Sequence, residues 1–586
     1  MIKNQDLTGF ASIDNPQNQG YSFWAKHPII PNMSIYNALK AINLMYQKKV
    51  AIDCLEIEVT YNQLFKDAIT ISRALKELGV RKGQIVSISM PNFYQAVAAF
   101  LACNRIGAVT TFLDPNASKK EIYSYLNIFE SPIYINYNAT EEENIKCKKE
   151  TGVEYIITLS NKNINNLSLD NDYRITTNKN IIDFNSLGSI AEYQKKGLPS
   201  NSSKDDSLIL FTSGSTGKPK PVVLTNKNVI AAGVYLKNSS KVESLNGERT
   251  LVCVPFTYPY GFATSTLMTL LSSKTAILAP NLSKDNISQY LKKNPNIIFG
   301  SPALLNLMIR YTPEKQDLSS ITTYISGGDF LTPKHSKRGS EFFEAHQAHN
   351  VEIGNGSGNA ETVSCGTNPT GIEIRPETAG KVLVGTSAMI VDPETLEEKK
   401  YNEEGLLCVS GEHVFKEYYG MPEETKKAKF EKNGKTYFKT GTLGFIDKDG
   451  YFTLTGRDSR FYIMSSLNKV YCDKIQTLLS YIDIINECAV VKVPDEELLY
   501  VNKAYIVLKD GIAPTEETKE YIMKIIKDGI NTINKGNIQL KSYEIPAYIE
   551  FVENLPRRQG TDKINYEELE KDAEEKRDSS KLVKKL

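Results

Sequence analysis

Residues 210–229 read LFTSGSTGKPKPVVLTNKNV, and the expected architecture follows from them. The preceding SLILF (207–211) is a short apolar strand, and TSGSTGKPK turns sharply away from it. Gly214 and Gly217 let successive backbone N–H groups face one point, Thr212, Ser213, Ser215 and Thr216 add hydroxyl donors, and Lys218 and Lys220 add positive charge. That combination behind a buried strand is a site for phosphate rather than a plain Ser/Gly-rich surface turn. It is not a Walker loop, because GxxxxGK[ST] is absent. Pro221 closes the run; it fixes φ near −65° and removes one N–H, so it is either neutral or stiffens the loop's exit.

Outward from the loop the text alternates between helix and strand patterns. NQLFKDAITISRALKELGV has helical apolar spacing, QIVSISM reads as a strand and YQAVAAFLACNRIGA as a buried helix. The cycle recurs through ERTLVCVPF, STLMTLLSSKTAILAP, NIIFGSPALLNLMIRY and ITTYISGGDF, which predicts mostly parallel strands covered by helices. Between Asn136 and Ser207 the composition turns to Asn, Lys, Ser and Glu, with a strand only near EYIITLS; this is expected to be a polar edge with long loops. From Glu403 on, short strands with turn signals dominate, and a new mixed segment begins after Ser459.

The 586 residues, 41% of them hydrophobic, suffice for two or more domains with sizeable cores. Lys plus Arg (70) nearly cancels Asp plus Glu (69), so no overall field favours nucleic acid or an acidic membrane surface. The eight cysteines form no CxxC pair and read as reduced core residues. The N-terminus has no apolar run behind Lys3, and no segment approaches the roughly 18 apolar residues of a membrane helix, so the expectation is a cytoplasmic protein without a membrane span. Ser580-Lys581-Leu582 resembles a peroxisomal address, but four residues follow it. His346 and His349, one helical turn apart, are expected on a solvated helix face rather than at a metal.

The loop resembles the phosphate loop of the adenylate-forming superfamily, which includes acyl-CoA synthetases, peptide-synthetase adenylation domains and firefly luciferase, with a family pattern close to [YF]TSGSTGxPKG. Further motifs follow in order over roughly residues 30 to 570: Thr60-Tyr61 with Leu64, Ser326-Gly327-Gly328, Gly456-Arg457, and LPRRQGTDKINYEELE (555–570). The resemblance implies an α/β fold: a large multi-subdomain N-terminal domain (1–458) with helix-flanked sheets and a small β-barrel-like part, a hinge at 459–460, and a small mobile α+β domain (461–586). It places Lys563 on the catalytic lysine. It assigns Thr212 through Lys220, including Gly214, Gly217 and Lys218, to the β- and γ-phosphates of ATP, and Glu361 with Thr216 to Mg²⁺. Gly358, Asn359, Thr442 and Arg457 fall at the AMP site. Tyr258, Gly261, Ser326, Gly327 and Gly328 fall at the acid pocket, where Tyr258 stands in place of a histidine many members carry.

Departures from the family pattern concentrate at adenosine. Its YGxTE motif supplies an aromatic for adenine, a Thr near the α-phosphate and a Glu; Ser357-Gly358-Asn359-Ala360-Glu361 keeps only the glycine and the Glu. Its YxTGD motif ends on an aspartate that accepts from both ribose hydroxyls, where Thr442 offers one uncharged hydroxyl. The expected function is ATP-dependent activation of an apolar or aromatic carboxylic acid, followed by transfer to a thiol: CoA, or the phosphopantetheine of a carrier protein. The alternative class is a non-catalytic relative that retains the fold and binds acyl or nucleotide ligands.

Overall fold

In a computed structural model, residues 7–583 are described except 162–179, 191–199, 213–218, 241–247, 329–330, 369–372, 459, 465–468, 496–497, 533–535 and 559–562. Two sheets carry the large domain. In the eight-stranded sheet the neighbours run Glu417–Tyr418, Pro221–Thr225, Asp206–Phe211, Val109–Phe112, Ile85–Ser89, Ile133–Tyr137, Tyr155–Leu159 and Ile181–Asp183. The first two pairings are antiparallel, and the last six strands run parallel to one another. The seven-stranded sheet orders Glu352–Asn355, Thr323–Ser326, Ile297–Gly300, Arg249–Val252, Thr275–Leu278, Val50–Cys54 and Ile57–Thr60, antiparallel only at the last pair.

The helix Tyr94–Ile106 buries every residue but Arg105, as a helix apolar on all sides must when it is enclosed. Its Phe100 meets Phe262 edge-on at 4.8 Å, and one continuous apolar core joins residues of both sheets. Thr60 caps the neighbouring helix Tyr61–Glu77 by accepting from the Gln63 N–H, so the threonine of the early motif starts a helix.

Past Lys381 the chain builds a five-stranded antiparallel sheet that includes Lys435–Ile446 and Phe452–Arg457. The small domain has separate cores around the strands Ile485–Asp495, Leu499–Leu508 and Tyr548–Phe551, covered by the helices Cys472–Leu479, Glu516–Asp528 and Tyr566–Val583. The α/β class and the presence of a large and a small domain agree with expectation.

The polar stretch after Asn136 is more ordered than its composition suggested. It contains a helix, Glu141–Glu150, started by a capping box between Thr140 and Glu143. Only Asn144 and Cys147 of that helix are buried, so it lacks the apolar stripe that would announce it. His346 is also not on a solvated face: it is buried, its Nδ1 lies 2.8 Å from the Phe342 carbonyl and its ring packs 4.4 Å from that of Phe342. His349 is exposed beside Glu344. Seven of the eight cysteines are buried and all are free thiols. Among the described residues no helix is long and apolar enough to cross a membrane.

Candidate active site

The loop of residues 212–220 is closed at its neck. The Thr212 N–H donates to the Lys220 carbonyl (3.0 Å), the Lys220 N–H donates back to Thr212 Oγ1 (2.9 Å), and Phe211 pairs with Pro221. Pro221 is the first residue of its strand, where the missing N–H costs least, and its carbonyl accepts from the Tyr419 N–H at 2.8 Å. The proline is therefore part of the neck. Ser213, Gly214, Ser215, Thr216, Gly217 and Lys218 lie outside the described residues.

The neck opens on a cleft of about 1860 Å³ between the two domains, lined by Thr212, Lys220, Tyr258, Gly327, Glu361, Thr442, Arg457 and Lys563, among others. Strand ends of the seven-stranded sheet supply the Ser326-Gly327-Gly328 turn. A Cβ on Gly327 would press into the ring of Tyr260 at 2.9 Å, and Gly328 has a left-handed backbone (φ +84°). A Cβ on Gly328 would lie 3.7 Å from Cε of Lys563, so the small domain brings this lysine to the turn. Ser326 Oγ is buried and has no hydrogen-bond partner among the described residues. Gly261 packs against backbone: a Cβ there would strike the Val254 and Pro255 carbonyls at 2.3 Å.

Glu361 sits in a short 3₁₀ turn, Ala360–Thr362, and is buried. Burial pushes its carboxyl above the usual carboxylate range, opposed by the Tyr418 hydroxyl, which donates to Oε1 at 2.5 Å, and by the charge of Lys220. When ionised, the Glu361 carboxylate is a hard oxygen donor of the kind Mg²⁺ takes. No cluster of three acidic, His or Cys side chains forms a metal cage among the described residues.

At the other end, the Asn359 Nδ2 donates to the Thr440 carbonyl at 3.0 Å, joining the two altered motifs. Gly358 sits where a Cβ would meet the Ser364 backbone at 2.2 Å, so only glycine fits. Thr442 is buried, lies opposite Arg457 across the hairpin, and donates its N–H to Thr440 Oγ1 at 3.1 Å. Tyr258 faces Arg558 of the small domain; burial, aided by Asp114, pushes its phenol up to about 12.

Two residues of this region carry no signal in the sequence. Tyr418 and Glu424 stand 57 and 204 residues from the Glu361 and Lys220 they contact, and only the pairing of Glu417–Tyr418 with Pro221–Thr225 brings them in. Arg460, where the resemblance puts the hinge, has its side chain only 13% exposed: it bonds Asp473, donates to the Val490 carbonyl at 2.6 Å and lies 3.4 Å over the Tyr566 ring.

The AMP-binding enzyme family profile matches residues 41–419 and the AMP-binding enzyme C-terminal domain profile matches 474–561, so this chain belongs to the AMP-binding enzyme family. Within it the chain is an adenylate-forming protein near the acyl-CoA synthetases. It is 25% identical over 542 residues to the long-chain-fatty-acid–CoA ligase of Bacillus subtilis (strain 168), covering 90% of this chain and 92% of that one. It is 25% identical over 480 residues to 4-coumarate–CoA ligase 1 of Petroselinum crispum, covering 79% and 82%. ATP-bound MatB from Rhodopseudomonas palustris superposes with a TM-score of 0.77 at 22% identity, covering 92% of this chain and 99% of that one, a likeness of fold.

Proposed function

We propose that this protein is an acid–thiol ligase: it activates an apolar or aromatic carboxylic acid with Mg-ATP as the acyl-adenylate and passes the acyl group to CoA. The observation that carries this reading is the meeting of Lys563 with the Ser326-Gly327-Gly328 turn in the cleft that also holds the loop neck and Glu361. A carboxylate oxygen would attack the α-phosphorus, and the bond to the bridging oxygen of pyrophosphate would break. The attack crowds negative charge on carboxylate and phosphate together, and the Lys563 ammonium would offset it. A lysine on a flexible stem suits a target that moves during the step.

The loop with Thr212 and Lys220 would hold the outer phosphates, and Glu361 with Thr216 would hold Mg²⁺, which spreads the triphosphate charge when bound. In the second step a thiol sulfur attacks the acyl carbon, AMP leaves, and the thiol proton passes to solvent. Tyr258, Tyr260 and Phe299 give the acid an aromatic wall. No aspartate appears in the sequence where the ammonium of an amino acid would commonly be held, which supports an acid without a charged amine.

The test is thioester formation from Mg-ATP with a panel of fatty and aromatic acids, offering CoA or a phosphopantetheinylated carrier protein. Acyl-CoA formed with at least one acid is the expected result. Acylation of the carrier alone would replace CoA as acceptor, and no product with either thiol would contradict the ligase reading.

A further inference from the structure

The cation at the loop neck already has an anionic partner. Lys220 is fixed by its two bonds to Thr212. Its side chain lines the cleft, yet its Nζ donates to Glu424 Oε2 at 3.0 Å. The same ammonium lies 5.1 Å above the ring of Tyr418, whose hydroxyl binds Glu361. Glu424 stands on the helix Pro422–Ala428, just beyond the edge strand Glu417–Tyr418, and its other oxygen is 3.2 Å from Lys427 Nζ. Both Lys220 and Glu424 side chains are about one-third exposed, so neither is locked into a core.

We infer that Glu424 sets nucleotide affinity by competing with the nucleotide's phosphates for Lys220. The inference rests on the reading of the cleft as a nucleotide site. One ammonium cannot serve a carboxylate on one side and a triphosphate on the other at full strength. Tyr418 gives the freed ammonium a resting place: a cation over an aromatic face stays near the neck without neutralisation. Partly exposed ion pairs are weak, so the competition is worth a modest factor rather than an on–off switch.

The experiment is equilibrium binding of Mg-ATP by calorimetry to the full chain and to Glu424→Gln, Lys220→Met and the double variant, at about 50 and about 300 mM salt. Glu424→Gln keeps the shape and removes the charge; it is expected to bind Mg-ATP about threefold to fivefold more tightly at low salt, with the gain shrinking at high salt. Lys220→Met is expected to bind more weakly, and adding Glu424→Gln to it is expected to restore little. A merely structural Glu424 would give equal or weaker binding on substitution, and that result overturns the inference while leaving the nucleotide site standing. Absence of Mg-ATP binding by every form, with unchanged thermal unfolding, would instead remove the nucleotide reading itself.

Discussion

The two ends of the cleft are built differently. At the phosphate end the loop neck is bonded on both strands, Glu361 is buried against Tyr418 and Lys563 reaches Gly328. At the adenosine end the backbone frame persists, with Gly358 packed on Ser364 and Asn359 tied to Thr440, while the side chains that would grip base and ribose are Ser357, Ala360 and Thr442. Contacts at the reacting phosphates strengthen as the transition state forms, whereas contacts to adenosine serve substrate and transition state alike. On the proposed ligase reading, a chain that keeps the first set and thins the second would turn over best at high ATP concentration.

Lys563→Ala is the harshest test of this contrast. It should lower adenylation on the order of 10²-fold or more with little change in thermal unfolding, because stabilising the charge that develops at the reacting atoms contributes more to such a rate than any other effect. A change in ATP affinity alone would erase the distinction between the two ends. Thr442→Asp probes the other side. A carboxylate facing both ribose hydroxyls should lower the KM for ATP about tenfold with kcat nearly unchanged, the worth of one hydrogen bond to a charged group. The same variant, measured without nucleotide, should unfold a few degrees lower because Thr442 is buried.

A smaller effect is expected where the domains meet. Lys334 of the helix Pro333–Ala345 donates to the carbonyls of Ile482, Asp483 and Ile485 in the small domain at 3.2 to 3.4 Å. Lys334→Met should loosen this docking, read as faster limited proteolysis of the native chain, and should slow adenylation severalfold in a pyrophosphate-release assay. Burial, with Lys509 and Arg338 nearby, holds the Lys334 ammonium at about 8, below its ordinary 10.5. A docked lysine with the lower pKa binds its proton less tightly than an undocked one, so docking should strengthen as pH rises from about 8 towards 10.5. The smallest expected effect is therefore a decline in wild-type proteolysis over that range that Lys334→Met does not share.

The sheets and their enclosed helix were legible because burial writes itself as apolar periodicity: QIVSISM became Ile85–Ser89 and YQAVAAFLACNRIGA became Tyr94–Ile106. The helix Glu141–Glu150 was hidden because its buried residues are Asn144 and Cys147, although Thr140 and Glu143 spelled a capping box. In the cleft, the motif residues could be named in advance, but their partners could not. Tyr418 and Glu424 act across long stretches of chain, and the contacts of Arg460 with Asp473, Val490 and Tyr566 are not written in the motif around it. Pro221, ambiguous in sequence, resolved once its carbonyl was paired with Tyr419.

Whether the cleft adenylates an acid despite its altered adenosine end is decided by acid-dependent release of pyrophosphate from millimolar Mg-ATP, compared between the wild-type chain and Lys563→Ala. Release that requires the acid and collapses in Lys563→Ala is the predicted result; no release with any fatty or aromatic acid, or release indifferent to Lys563, would contradict it.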